Sequence, residues 1–215
     1  MSTITVFGYG SLLSQKWAEE MVESCLSNFR LVRVKGYRRI FNKVGIVFFR
    51  RYNIPQDDLK VSSCATRYDG ETEIICSAFE CSGKDFLKIY EREHRFRWIL
   101  VDGVDSEGRT HQGRMCTEYT DEDYLLNKCI LEEEYHSRVK QYYQGKIWRN
   151  DIFPHTLYLR HCLKAAKQHS GDVYNNFIST SYLSDGSTPI SEYLVENPWI
   201  LDEMGDDYSY QKAES

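Results

Sequence analysis

Two short stretches of this chain combine residue types that could do chemistry. The first is Val6-Phe7-Gly8-Tyr9-Gly10-Ser11-Leu12-Leu13. Ile4, Val6 and Phe7 favour a strand, Gly8 and Gly10 bracket a tyrosine, and Ser11 follows. Glycines at this spacing let the backbone turn sharply and expose consecutive N–H groups. Such a nest, entering a helix-like Ser14–Ser24, suits a carboxylate or a phosphate. The plain alternative is a tight strand-to-helix turn that binds nothing. The second stretch is Ile89-Tyr90-Glu91-Arg92-Glu93-His94-Arg95-Phe96-Arg97-Trp98, where a short helix hands over to a strand. A carboxylate at such a junction can face a pocket and act as a general base. The alternative is a solvated helix end whose ion pairs contribute little.

Other chemistries find less support. The seven cysteines are scattered without a CxxC, which fits reduced thiols packed as small apolar residues in a cytoplasmic protein. The six histidines include no i,i+4 pair, so a metal site has little footing. His161-Cys162 reads as one exposed and one buried helical position. His155 and His161 could be donated to a site, but a structural role is the simpler reading. The glycine loop is not followed by the Lys-Ser/Thr of a nucleotide-binding P-loop. A formal charge of −5 offers no field for nucleic acid. The basic run from Arg30 to Arg51, which includes Arg38, Arg39 and Lys43, reads as solvated edges of twisted strands. No apolar run approaches a membrane span, and with neither a basic nor an apolar region after Met1–Ile4 no signal peptide is expected.

Positioning these stretches requires a core, and 215 residues at 41% hydrophobic content suffice for one. Strand patterns cover 3–7, Phe29–Val34, Gly36–Phe41, Gly45–Phe49, Val61–Thr66 and Ile74–Phe79, with turns at Gly45, Asn53-Ile54-Pro55 and Asp69-Gly70. A helix is expected over 14–25 and another from Ser82 to about Tyr90. Phe96–Val101 and Thr110–Cys116 complete the strands. Helical signals then dominate: a capping box at Thr120–Asp123, a helix over Thr156–His169 ending near Gly171, and one opened by Thr188-Pro189. The expected fold is α+β, a mixed or barrel-like sheet over residues 1–119 with a packed helical cover over 120–204. Residues 205–215 are expected to be a disordered tail.

Tyr9-Gly10-Ser11-Leu12 near the N-terminus, followed by a later Arg92-Glu93 element, resembles the γ-glutamylcyclotransferase-like superfamily. That resemblance implies a small mixed β-barrel with helices, no cofactor and no metal. It implies that the amides of Tyr9, Gly10, Ser11 and Leu12 bind a γ-glutamyl group and that Glu93 is the catalytic acid/base. Gly36-Tyr37-Arg38-Arg39-Ile40-Phe41 resembles a strand of the glutathione-specific branch. The Arg-Gly-Thr and Pro-Gly-Arg-Val elements of that branch do not follow Phe41, and no glycine and tyrosine follow Glu93 closely. Arg92–Arg97, Tyr158–Lys167, Asn176–Ile178 and Thr188–Leu194 are more similar to a branch from plants, algae and cyanobacteria that carries a helical extension.

The implied reaction is chemically economical. The substrate's own α-amine attacks its γ-carbonyl, giving 5-oxoproline and a released amine or amino acid. Loop amides hold the carboxylate or polarise the carbonyl. The ring closure is favoured because nucleophile and electrophile are tethered. One carboxylate in a dry pocket can move the protons. The sequence therefore predicts a small-molecule γ-glutamyl substrate and no nucleic-acid or membrane partner. Two alternatives stay open: Glu91 in place of Glu93, and a retired module that binds a γ-glutamyl or other anionic metabolite without turnover.

Overall fold

The computed structural model describes residues 3–202. Strand β1 (Thr3–Gly8) runs into a 3-10 turn at Ser11–Leu13 and helix α1 (Gln15–Glu19). The helix expected to reach residue 25 is thus much shorter. Asp85 explains where the chain leaves it: its carboxylate accepts the Glu23 N–H at 3.0 Å and the Ser24 hydroxyl. Those bonds compete with helix continuation, while Met21 and Val22 pack on a cluster around Phe79, Phe86 and Ile89.

Strand β2 (Ser27–Val44) and strand β3 (Ser62–Ser82) form one long antiparallel pair, with helix α2 (Ile46–Tyr52) between them. The two short strands expected on each side are therefore continuous. Asp69-Gly70 does not reverse the chain; it lies in a bulge between the pairs Lys35–Glu73 and Tyr37–Tyr68. Gly36 sits opposite with φ +82°, a conformation other residues rarely adopt. Gly45–Phe49 is helix rather than strand. Phe48 and Phe49 turn inward to stack on His155 and Tyr143 at 4.0 and 4.8 Å, and this packing overrides their β-propensity.

Helix α3 (Gly83–Arg92) is capped by the Ser82 hydroxyl, which accepts the Asp85 N–H at 3.1 Å. Strands β4 (Arg97–Val104) and β5 (Thr110–Thr117) follow as a hairpin. The order β3-β1-β5-β4-β2, with β2 returning to β3, closes a five-stranded barrel. Only β1 and β5 run parallel within it.

Helices α4 (Asp121–Lys128) and α5 (Glu132–Tyr135) lead to α6 (Thr156–Lys167). The Thr120 cap bonds the Asp123 N–H at 3.0 Å, as the capping pattern requires. Gly171 opens α7 (Gly171–Ser179) instead of ending the structure there. A short strand β6 (Ser181–Leu183) then adds parallel to β2 at Arg39–Phe41, and α8 (Ile190–Glu196) and α9 (Trp199–Asp202) complete the cover. Leu159, Leu163 and Phe177 share one buried cluster with Phe7, Val34 and Ile74 of the barrel. Burial of each such side chain contributes about 1.5–3 kcal/mol, so barrel and helices depend on a common core. The fold is α+β. No helix among the described residues is long and apolar enough to cross a membrane. Residues 205–215, expected to form a tail, lie outside the described residues.

Candidate active site

The glycine turn is fixed by its carbonyls. Arg39 Nε donates to Tyr9 O at 2.7 Å, Ser77 Oγ donates to Leu12 O at 2.7 Å, and His169 Nε2 meets Leu13 O at 2.7 Å. The peptide plane makes C=O and N–H antiparallel, so tying Tyr9 O to Arg39 turns the Gly10 N–H the opposite way. Close approach requires the first glycine and crowds the second. A Cβ on Gly8 would lie 2.5 Å from Leu12 Cβ and 2.8 Å from Ser77 Oγ. One on Gly10 would lie 3.1 Å from the Tyr158 hydroxyl of α6.

Glu93 caps the C-terminus of α3. Its N–H donates to Ile89 O and its carbonyl accepts the Phe96 N–H, each at 2.9 Å. The segment is a turn at this point, and strand β4 begins only at Arg97. Tyr9, Gly10, Ser11 and Leu12 nevertheless line the same cavity of about 590 Å³ as Glu93. The Glu93 carboxylate is 28% exposed, with Arg92 Nε 3.6 Å away. His94 points elsewhere. It is buried against the Tyr124 hydroxyl, 3.2 Å from Nδ1, and burial pulls its pKa down to about 4. Glu91 lines the cavity as well, but its side chain is 59% exposed and is bonded by Arg138 Nη2 at 2.9 Å.

The cavity contains charges that sequence reasoning assigned to solvated edges. The first half of the basic run is indeed exposed at Arg33 and Lys35. Arg39 and Lys43 are buried, because β2 passes there beneath the helical cover. Arg39 is a core residue that joins the glycine turn to β3 at Ile75 O and to Thr180 Oγ1, 2.8 Å away, just beyond α7. Lys43 lines the cavity, with Nζ 3.3 Å from Ser63 Oγ and 4.4 Å from the Phe96 ring centroid. Burial, reinforced by the positive charge of Arg95, pulls its pKa to about 7, while Glu93 and Cys116 act in the opposite direction. Arg95 also lines the cavity. No carboxylate lies within 4 Å of Lys43 or Arg95 among the described residues. The alternation of Val32 and Val34 with Arg33 and Lys35 is the sequence signal for a half-buried strand; its breakdown from Ile40 onward could have flagged Lys43.

Tyr9 and Tyr158 form apolar-sided walls, and burial chiefly pushes both phenols upward, with neighbouring thiols and Glu93 adding to it. His161 is buried, not exposed. It lines the cavity and lies 4.8 Å from Trp17, ring to ring. His155 stacks on Phe48 outside the cavity lining. All seven cysteines are free thiols. Burial raises those of Cys64 and Cys116 at the cavity, which makes them poor nucleophiles. Among the described residues, no three His, Cys, Asp or Glu side chains are grouped to hold a metal ion.

No protein-family model matches this sequence, and no curated protein matches it. Solved structures do. One described as a gamma-glutamyl cyclotransferase aligns with TM-score 0.55 over 94% of this chain and 99% of its own, at 11% identity. An uncharacterized protein from Homo sapiens aligns with TM-score 0.55 over 92% of this chain and 98% of its own, also at 11% identity. This chain has the γ-glutamyl cyclotransferase fold. In that fold, the cavity lies where the glycine turn after β1, the turn after α3, the end of β2 and helix α6 meet.

Proposed function

We propose that the protein is a γ-glutamylcyclotransferase-like enzyme. It cyclises a γ-glutamyl peptide or amine to 5-oxoproline and releases the amine, with Glu93 as general acid/base. One observation carries the reading: the Tyr9–Leu12 turn and Glu93, distant in sequence, line a single cavity in a chain of γ-glutamyl cyclotransferase fold. The amides of Tyr9, Gly10, Ser11 and Leu12 hold the substrate, with the Gly10 N–H the donor freed by the Arg39 bond to Tyr9 O. The cavity walls hold the α-amine against the γ-carbonyl of the same molecule, which supplies proximity without a second reactant. Glu93 takes the proton that the attacking nitrogen sheds.

The test is product analysis by mass spectrometry on a panel of γ-glutamyl peptides and amines. The expected products are 5-oxoproline and the free amine in equal amounts. Glutamate instead of 5-oxoproline would make the protein a hydrolase. Binding without any turnover across the panel would make it a binding module.

A further inference from the structure

Lys43 stands out among the buried polar groups of this molecule. It is 6% exposed, yet its ammonium has no carboxylate within 4 Å among the described residues. Its neighbours are a serine hydroxyl and the face of Phe96. The Ser63 hydroxyl donates to the Lys43 carbonyl at 3.2 Å, which leaves its lone pairs for Nζ. A buried amine with no carboxylate in contact is costly, and a methionine of similar length would avoid the cost. A lysine kept here under those conditions points to chemistry, and it lines the same cavity as Glu93.

Resting on the cyclotransferase reading, we infer that Lys43 is a second catalytic residue, the acid that gives its proton to the nitrogen leaving the γ-glutamyl carbonyl. Written out, the step begins with the α-amine in its free-base form. Its lone pair forms the new C–N bond to the γ-carbon, and Glu93 takes the proton that this nitrogen then loses. The old C–N bond breaks with its electron pair going to the leaving nitrogen, and the Lys43 ammonium supplies the proton that nitrogen gains. Transfer of the proton from Glu93 to the neutral Lys43 amine restores both groups. No further reactant is needed. The groups facing Lys43 are Glu93 and Arg95 from the turn after α3, Cys116 from β5 and Ser63 from β3. Burial, reinforced by Arg95 and opposed by Glu93 and Cys116, holds its pKa at about 7, where an acid both donates and recovers a proton readily. An amine so poised is a weak fixed anchor for an anion but an effective proton donor.

The experiment compares two leaving groups. A γ-glutamyl dipeptide releases a basic amine that must be protonated, whereas γ-glutamyl p-nitroanilide releases a weakly basic one that needs little help. Lys43→Met and Lys43→Arg are measured beside the wild type, with thermal unfolding to verify that each folds. Both variants should lose about 10²–10⁴-fold in kcat on the dipeptide and less than about tenfold on the anilide. Arginine keeps the charge but does not release its proton at these pH values, so it should not rescue. In the wild type the dipeptide-to-anilide rate ratio should fall as pH rises through about 7, since the neutral amine cannot donate; in the variants it should stay flat. Equal losses on both substrates, or a raised KM restored by Lys43→Arg, would make Lys43 a structural or anchoring residue and overturn the inference. Unaltered dipeptide turnover in Lys43→Met would overturn it too. Absence of 5-oxoproline from both substrates with the wild type would instead remove the cyclotransferase reading, and this inference with it.

Discussion

Burying the Lys43 ammonium should leave a mark on stability that is separate from catalysis. Its folded pKa of about 7 lies below the ordinary lysine value of 10.5. Between these limits the unfolded chain binds the proton that the folded chain does not, so stability rises with pH across that window and is lowest at and below pH 7. Lys43→Met removes the penalty. It should therefore raise Tm at pH 7, by roughly 2–4 °C for each kcal/mol recovered, and the gain should shrink as the pH approaches 10. Thermal unfolding of both proteins at pH 7, 8.5 and 10 measures this. If the Lys43→Met variant gains no more over wild type at pH 7 than at pH 10, the burial is not costly. Glu93 was singled out because Arg92-Glu93 resembles a short element of the cyclotransferase-like superfamily; the local charge pattern alone read equally as a solvated helix end. Lys43 was not, because its burial comes from Ser63 of β3, Phe96 of the turn after α3 and the helical cover, where it pairs with Trp148.

Arg39 acts on the scale of elements. Its guanidinium, fully buried, binds Tyr9 O in the glycine turn, Ile75 O in β3 and Thr180 Oγ1 beyond α7. Arg39→Met keeps much of the volume but leaves those acceptors without a donor. The loss should be on the order of 3 kcal/mol, read as a Tm fall of roughly 6–12 °C. It should also raise KM for any γ-glutamyl substrate, because the Gly10 N–H is no longer oriented. A drop in Tm with unchanged KM would separate the arginine from the site. Strand β1, its glycine turn and the capped helices α3 and α4 were legible because β-formers, glycine and cap residues act locally. Helix α2 was not, since Val47, Phe48 and Phe49 carry strand propensity and become helical only by packing on His155 and Tyr143. Gly171 resembled a helix stop, and so α7 was overlooked; Ser170 is in fact the N-cap position of α7.

At the scale of the molecule, barrel and helical cover share one apolar cluster. A chain ending after residue 120 would expose the barrel residues that Leu159, Leu163 and Phe177 cover. It should lose cooperative unfolding, and a soluble fragment with a sharp thermal transition would contradict the shared core. Acid should also loosen the whole protein. His94 and His155 are held neutral by burial, each with its pKa pulled from 6.5 to about 4. As pH falls from 6.5 toward 4 the unfolded chain takes up protons that the folded chain resists, so stability is lost through that window. For His94 the loss is about 1–3 kcal/mol. His94→Gln should flatten the pH dependence of the denaturation midpoint between those limits. An unchanged slope would place the acid sensitivity elsewhere. The α+β barrel was expected from the sequence. Its closure by β2 with β3, and the addition of β6, rest on long-range pairing that no local pattern announces.

Glu93→Gln is the most direct measurement of the central claim. The amide keeps the size and most polar contacts of the carboxylate but cannot exchange the proton. Release of 5-oxoproline from the best γ-glutamyl substrate should fall by about 10²–10⁴-fold. Calorimetric binding of a γ-glutamyl ligand should persist, because the Tyr9–Leu12 turn is untouched, and Glu91→Gln should change little. Near-normal turnover in Glu93→Gln would contradict the account, and a loss confined to Glu91→Gln would move the catalytic role to Glu91.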